Sequence, residues 1–330
     1  MDTSSFSRRL SDRLVSFAWD EWAQMGLLAT PHRRSPWAQD PEALIVFTLQ
    51  IARAQPRLFD ELMDWALLNE SLLSVRRLRA MCIDEADRAL VAAALAWLGS
   101  QPPRAGVSSR PSGSGVKALQ PLFNAGGPVR ETDEPFAAAG WSRAPLKPSH
   151  KSRPPDPLAP INMAFRLRQI LGVGIRAEIV RILLTVEDTW INAQTLARST
   201  GYSKRNVHDA LTGLTTAGVV SAVTVGAEQR YRADHLAWAG LLQCAPDELP
   251  VHRNWPQLLA ALRRILRWSE QREPDVMSDY LRASRLRDLL ETLLPDLAFA
   301  GIPINLNQPS TDPRHTLENV IEQALPPSQA

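Results

Sequence analysis

Side chains that suit nucleic-acid recognition are concentrated between residues 203 and 212 of the 330-residue sequence. Arginine and asparagine are the residue types that bind guanine and adenine edges through paired hydrogen bonds. A serine hydroxyl and the free backbone N–H groups at the start of a helix suit a phosphate. The predicted nucleic-acid-binding residues of this stretch are Ser203, Lys204, Arg205, Asn206, His208 and Thr212.

Three further charged residues have more than one possible role in such an interface. Asp209 departs from an all-basic face and would repel phosphate if it pointed outward. Arg166 and Arg168 lie on an earlier segment, where they either add phosphate contacts or are ordinary exposed side chains.

Caps and breakers predict the elements that position this surface. Asn192 can cap a short helix that ends near Ser199, and Gly201 permits the positive φ of a tight turn. Ser203 can cap a second helix, which Gly218 ends. Two helices joined by three or four residues with a glycine form a helix-turn-helix unit.

Apolar spacing orients the second helix, and a change of pattern behind it predicts strands. The buried stripe of the helix is expected to consist of Val207, Ala210, Leu211 and Leu214. The basic residues then face solvent. Residues 219–225 and 229–232 have strand character and are separated by a glycine-containing turn, which predicts a β-hairpin.

The amphipathic segment at 174–189 is predicted to be a first helix. The order of three helices followed by a β-hairpin resembles the winged helix-turn-helix superfamily, particularly bacterial regulators of the MarR and ArsR type. The resemblance covers residues 161–235 only. It implies that the second helix enters the major groove of double-stranded DNA. It also implies that Arg230 and Arg232, on the hairpin, contact the DNA backbone or the minor groove.

Catalytic and metal-binding patterns are poor. The six histidines show no HxxxH or HxH spacing, and no GxSxG, Walker or GxGxxG motif occurs. The two cysteines, Cys82 and Cys244, lie too far apart in sequence for a cysteine-based zinc module or a disulfide scaffold. We therefore expect no metal, no cofactor and no enzymatic activity.

Composition and charge divide the chain into four parts. The net charge of +2 is uneven, because the middle of the chain is basic and both ends are mildly acidic. Residues 1–100 and 236–330 are predicted helical domains that flank the winged helix at 161–235. Residues 101–160 are rich in proline and glycine. They are interpreted as a linker followed by either an anchored strap, with Phe136 and Trp141 as anchors, or free coil.

The C-terminal domain carries two apolar stripes, at 255–266 and 286–293, and Pro295 is expected to end the second helix. The stripes either pack inside their own domain or form a homodimer contact. No segment is long and apolar enough to span a bilayer, and no secretory signal is visible. A cytoplasmic location is therefore expected.

The predicted fold is mainly α, with a central winged helix-turn-helix. The predicted function is that of a sequence-specific, homodimeric DNA-binding transcriptional regulator, expected to be a repressor. The alternative is a protein-interaction subunit of a toxin or phage-defence operon, resembling an antitoxin. Its flanking helical domains would then bind a partner protein, and DNA binding would be secondary.

Overall fold

The computed structural model of the chain describes residues 3–101, 119–124, 129–187, 189–271, 278–306 and 312–325. Within these residues the protein is mainly helical, which confirms the predicted class, with fourteen α-helices and five short strands. None of the described helices is both long enough and apolar enough to cross a membrane.

Helices occur in the N-terminal, middle and C-terminal parts of the chain. The first six are α1 (Thr3–Gln24), α2 (Pro41–Ile51), α3 (Pro56–Asn69), α4 (Val75–Ala80), α5 (Glu85–Ser100) and α6 (Glu134–Ala138). The next five are α7 (Met163–Leu171), α8 (Ile175–Thr185), α9 (Ala193–Thr200), α10 (Lys204–Thr216) and α11 (His235–Leu242). The last three are α12 (Trp255–Glu270), α13 (Asp279–Phe299) and α14 (Pro313–Ala324).

The strands form two small sheets. They are β1 (Gln120–Pro121), β2 (Trp141–Ser142), β3 (Ile191–Asn192), β4 (Ser221–Val225) and β5 (Glu228–Arg232). β1 and β2 pair in parallel, whereas β5 lies between β3 and β4 in an antiparallel sheet.

Side-chain caps begin several of the N-terminal helices. Asp40 accepts a hydrogen bond from the backbone N–H of Ala43 at the start of α2. Ser74 and Asp84 cap α4 and α5 in the same way. Such caps satisfy backbone donors that have no partner inside the helix, and they fix where each helix begins.

The larger hydrophobic core is shared by the two ends of the chain. Helices α1, α2, α3 and α5 contribute to it together with α12, α13 and α14. Trp255 of α12 is fully buried, and its indole N–H donates to the carbonyl of Ala38 at 2.8 Å. Residues 1–100 and 236–330, which the sequence divides into two domains, therefore pack against each other.

Both C-terminal apolar stripes are buried in this core. In α12 the buried members are Trp255, Leu258, Leu259, Leu262, Ile265 and Leu266, and in α13 they are Leu286, Leu290 and Leu293. The stripes are therefore covered within the chain, by each other and by α1 and α2, so packing inside residues 236–330 accounts for only part of their burial. These side chains are not a surface for a second copy of the chain.

The second half of the proline-rich segment lies on the N-terminal helices. Phe136 is fully buried in the larger core, against Phe59 of α3 at a ring-centroid distance of 5.7 Å. Trp141 is also buried there, with the guanidinium of Arg53 over its ring. The linker predicted for the first part of this segment corresponds to residues 101–115, of which only Gln101 is among the described residues.

The prediction that Pro295 ends a helix is wrong. Helix α13 continues through Pro295 to Phe299. A proline removes one backbone hydrogen bond of a helix, but Leu297 beyond it is completely buried in the larger core. Tertiary packing therefore overrides the local breaker signal.

A second core holds α7 to α10 and the three-stranded sheet together. Its fully buried members include Leu196 of α9, with Val207 and Leu211 of α10. Tyr231 of β5 and Trp238 of α11 close it from the sheet side. This core sets the orientation of α10 relative to the sheet.

Candidate nucleic-acid interface

The turn between α9 and α10 is built by three residues that the sequence singles out. Asn192 caps α9 by accepting from the N–H of Thr195 at 2.8 Å. Gly201 adopts a left-handed conformation, with φ of 73°. Ser203 caps α10 by accepting from the N–H of Asn206 at 3.3 Å. The two helices are therefore joined as the spacing predicts.

Helix α10 has one buried and one exposed side. Val207, Leu211 and Leu214 are buried, as predicted from their spacing. Four predicted binding residues are exposed on the other side, namely Lys204, Arg205, His208 and Thr212. The basic side chains are thus free of the core and point toward solvent.

The charge on this exposed side is positive at the start of the helix. Neither Lys204 nor Arg205 forms an ion pair with any described residue. Asp209 is also exposed, one turn further along, so its carboxylate lowers the positive potential there. A polyanion is therefore attracted to the first turn of α10 more than to the second.

Asn206 differs from the other predicted contacts because both ends of its amide are engaged. A guanidinium has only donors, so the amide oxygen is assigned to the position that faces the two terminal nitrogens of Arg76, at 2.6 and 2.8 Å. The side-chain nitrogen of Asn206 donates to the hydroxyl of Ser203 at 3.1 Å. The amide is already bonded within the chain and is not free to bind a base edge in this arrangement. No sequence signal places Arg76, from α4, at this position.

The hairpin arginines are partly engaged. The Nε of Arg230 lies 3.2 Å from a carboxylate oxygen of Glu228, and both side chains are about half exposed. The guanidinium of Arg232 lies over the ring of Trp190, 4.8 Å from its centroid. Both arginines lie on the face of β5 opposite the buried Tyr231. This face carries less net positive charge than the two arginines suggest.

Neither alternative considered for Arg168 is correct. Its side chain is fully buried and binds Glu42 and Glu178, with guanidinium-to-carboxylate distances of 2.6 Å to each. Burial of a charge is tolerated only with such partners.

Arg166 donates to the carbonyl of Leu242 and lines a cleft of about 510 Å³ that also contains Cys244.

Arg168 belongs to a cluster of six buried charges, which we call the ion cluster. It contains three arginines and three carboxylates, Arg77, Arg168, Arg181, Asp40, Glu42 and Glu178. All six side chains are at most 2% exposed, and their formal charges cancel. The cluster joins α2 and α4 to α7 and α8.

The arginines of the ion cluster favour the ionised forms of Glu178 and Asp40. Burial by itself would raise the pKa of Glu178, but Arg77, Arg168 and Arg181 together lower it well below its usual value. The pKa of Asp40 is lowered too: burial opposes this, and Arg77 is the strongest of the groups that outweigh it. Glu178 and Asp40 are therefore charged at neutral pH.

Helix α4 extends this connection to the turn itself. The Nε of Arg77 donates to the carbonyl of Thr200 at 2.9 Å, at the end of α9. A Cβ added to Gly201 would lie 2.9 Å from the methyl carbon of Met81. The turn is thus held against the N-terminal helices by a hydrogen bond and by close packing.

The described residues show no metal-binding arrangement. No three His, Cys, Asp or Glu side chains among them are grouped to hold an ion. Burial, and next the nearby carboxylate of Asp87, raises the pKa of the Cys82 thiol to about 11. A thiol in this state is a poor nucleophile and a poor metal ligand at neutral pH.

Comparison of the chain with protein-family models, with curated proteins and with solved structures gives no match.

Proposed function

We propose that the chain is a sequence-specific, double-stranded-DNA-binding transcriptional regulator that acts as a repressor in the cytoplasm. The observation that carries this proposal is the exposed, uncompensated positive charge on the first turn of α10. That turn follows a glycine turn after α9, and the opposite side of α10 is buried. In a helix-turn-helix protein this is the part of the second helix that contacts base edges.

The sheet supports assignment to the winged helix-turn-helix fold. β3 lies between α8 and α9 in the sequence, and it pairs with β5 of the hairpin. Three helices with a hairpin behind the last one, tied back by a short strand, are the arrangement expected of that fold. The hairpin β4–β5 is then the wing.

Individual roles follow from exposure and charge. Arg205 is assigned to a guanine edge, because a guanidinium can bind the two acceptors of guanine together. Lys204 and Arg230 are assigned to phosphates, and the capped start of α10 at Ser203 to a third phosphate. His208, Thr212 and Arg232 lie further along the same two elements and are assigned to the edges of the interface.

Fluorescence anisotropy with duplexes from the region flanking the protein's own gene tests these roles at two salt concentrations. Arg205→Ala should cost about 1–3 kcal/mol of binding free energy on the specific site and relax preference at one base pair. Lys204→Ala and Arg230→Ala should weaken binding to all sequences equally and each lower the salt slope by about 1.

The matched control is Arg8→Ala, because Arg8 is exposed on α1 and has no ion pair with a described residue. This variant should bind as the parent does. If all three interface variants also bind as the parent does, the assignment of α10 is wrong. If the parent binds no duplex at low salt, the proposed function fails.

We also propose that the regulator is a homodimer, as a protein reading a symmetric site requires. The buried stripes of α12 and α13 do not supply the contact. A specific observation favours α11 instead. Leu236 and Leu241 are 75% and 60% exposed at the two margins of the solvent-exposed face of this short apolar helix, about 140° apart around its axis. The same face is what the second candidate function, a protein-interaction subunit, would present to a partner.

A further inference from the structure

We infer that helix α4, which lies outside the winged helix, is part of the same DNA interface, and that Arg76 and Arg79 bind phosphates beside the bases read by α10. This inference rests on the proposed function. It adds a second element, from the N-terminal part of the chain, to the interface.

The position of α4 is fixed by contacts with the turn before α10. The guanidinium of Arg76 lies over the ring of Tyr202, 5.0 Å from its centroid. Arg77 is anchored in the ion cluster and donates to the carbonyl of Thr200. These contacts lie on either side of Gly201, so α4 and the start of α10 are held as one surface.

The exposed charge of this surface is positive and uncompensated. Arg76 and Arg79 are both exposed, and they are neighbours on α4 because they are three residues apart. No described carboxylate pairs with either of them, and the same holds for Lys204 and Arg205. Four cations on two adjoining helices suit a polyanion whose phosphates are regularly spaced.

The bonds to Asn206 place Arg76 close to the reading turn. Its guanidinium nitrogens lie within 2.8 Å of an atom on the first turn of α10. The major groove is about 12 Å wide and is bordered by phosphates. With this first turn in the groove, an arginine attached to it from a neighbouring helix lies at the groove edge, where the phosphates are.

Asn206 then acts as a positioning residue. Its amide oxygen holds Arg76, and its amide nitrogen is bonded to Ser203. Both groups that would bind adenine are therefore used inside the protein. We expect Asn206 to affect DNA binding through Arg76 and not through a base.

The experiment compares parent, Arg76→Ala, Arg79→Ala, Asn206→Ala and the double variant Arg76→Ala/Asn206→Ala. Anisotropy is measured on the specific duplex, on single-base variants of it and on random duplex, between 0.05 and 0.3 M salt. Loss of one phosphate contact should lower the salt slope by about 0.9, which corresponds to about eightfold weaker binding at 0.1 M salt.

Arg76→Ala and Arg79→Ala should therefore weaken all duplexes by a similar factor. Asn206→Ala should also weaken all duplexes uniformly, and the double variant should bind no more weakly than Arg76→Ala, since the two residues act through one contact. Arg76→Lys keeps the charge, and it should retain the salt slope of the parent while losing part of the affinity.

Two results would overturn the inference. One is binding by Arg76→Ala and Arg79→Ala that equals that of the Arg8→Ala control while Lys204→Ala is impaired. The other is relaxed preference at a single base pair in Asn206→Ala, which would make Asn206 a base-reading residue. Both leave the proposed function standing. That function fails only when the parent binds no duplex, so the two failures are distinguishable.

Discussion

Glu178→Gln is expected to destabilise the protein strongly, because Glu178 is the carboxylate that all three arginines of the ion cluster share. Its oxygens lie 2.6 Å from Arg168, 3.0 Å from Arg181 and 3.3 Å from Arg77. The glutamine keeps the size of the side chain and removes the charge. Three buried guanidinium groups then face two carboxylates.

The size of the effect follows from this imbalance. Removing one member of a buried ion pair costs about 3–5 kcal/mol, because the remaining charge is left without compensation. The entropy of unfolding is roughly 2.1 cal/mol/K per residue, so a chain of 330 residues gains about 0.7 kcal/mol/K. The melting temperature should therefore fall by about 4–7 °C.

Differential scanning calorimetry of purified parent and variant measures this shift. The matched control is Glu85→Gln, the same change in a pair with Arg88 at 3.0 Å whose carboxylate side chain is 85% exposed. An exposed pair contributes little, and we expect the melting temperature of this variant to change by about 1 °C or less. Glu178→Gln/Arg181→Met removes one charge of each sign and should recover part of the loss.

The dependence on pH gives an independent check. Since the folded pKa of Glu178 lies below the ordinary value of 4.5, its stabilisation is complete above that pH and is lost as the pH falls through the folded pKa. The parent should thus lose stability in acid more steeply than Glu178→Gln does. Equal melting temperatures for Glu178→Gln and Glu85→Gln, with parallel acid profiles, would refute the compensated ion cluster.

Three further outcomes are expected. Burial lowers the pKa of His252 to about 4, so the free energy of unfolding should fall as the pH drops from 6.5 toward 4. The His252→Gln variant lacks this group. In urea unfolding, its free energy of unfolding should fall by about 2 kcal/mol less than that of the parent between pH 7 and pH 5. Leu211→Asp buries an unpaired charge and should abolish cooperative unfolding followed by circular dichroism, whereas Thr212→Asp, on the exposed side, should not. Leu236→Glu/Leu241→Glu should convert a dimer into a monomer in sedimentation velocity; a monomeric parent at tens of micromolar, with and without DNA, would contradict the dimer proposal.

The elements of the candidate interface could be predicted because their signals are local. Asn192 and Ser203 cap helices whose backbone N–H groups lie three residues away, and Gly201 supplies a conformation that other residues rarely adopt. Each of these features depends on residues within one turn of chain. Sequence spacing alone is enough to identify them.

The ion cluster could not be predicted because its partners are distant in sequence. Arg168 and Glu42 are separated by 126 residues, and an arginine on an amphipathic helix is normally exposed. One signal is present: Glu178 and Arg181 are three residues apart within an apolar segment, where charged residues with no solvent face need a partner. The sequence does not say which partner that is.

The two flanking segments illustrate the same limit for apolar residues. The apolar stripe that begins at Trp255 predicts that one face of this helix is buried, and the structure confirms that burial. The stripe does not show what covers that face. In the structure the cover consists of α1 and α2, from the other end of the chain, together with the neighbouring α13.

The core shared by the two ends has a consequence for synthesis of the protein on the ribosome. Ala38, in the loop just before α2, contacts Trp255, and 217 positions separate them. At roughly 5–20 residues per second, α2 emerges about 10–45 s before α12 exists to cover its apolar face. The segment from α7 to α11 can form its core during this interval, whereas α1 to α5 must wait with exposed apolar surface. Nascent chains that stall between these points are therefore the species most exposed to aggregation and most dependent on chaperones.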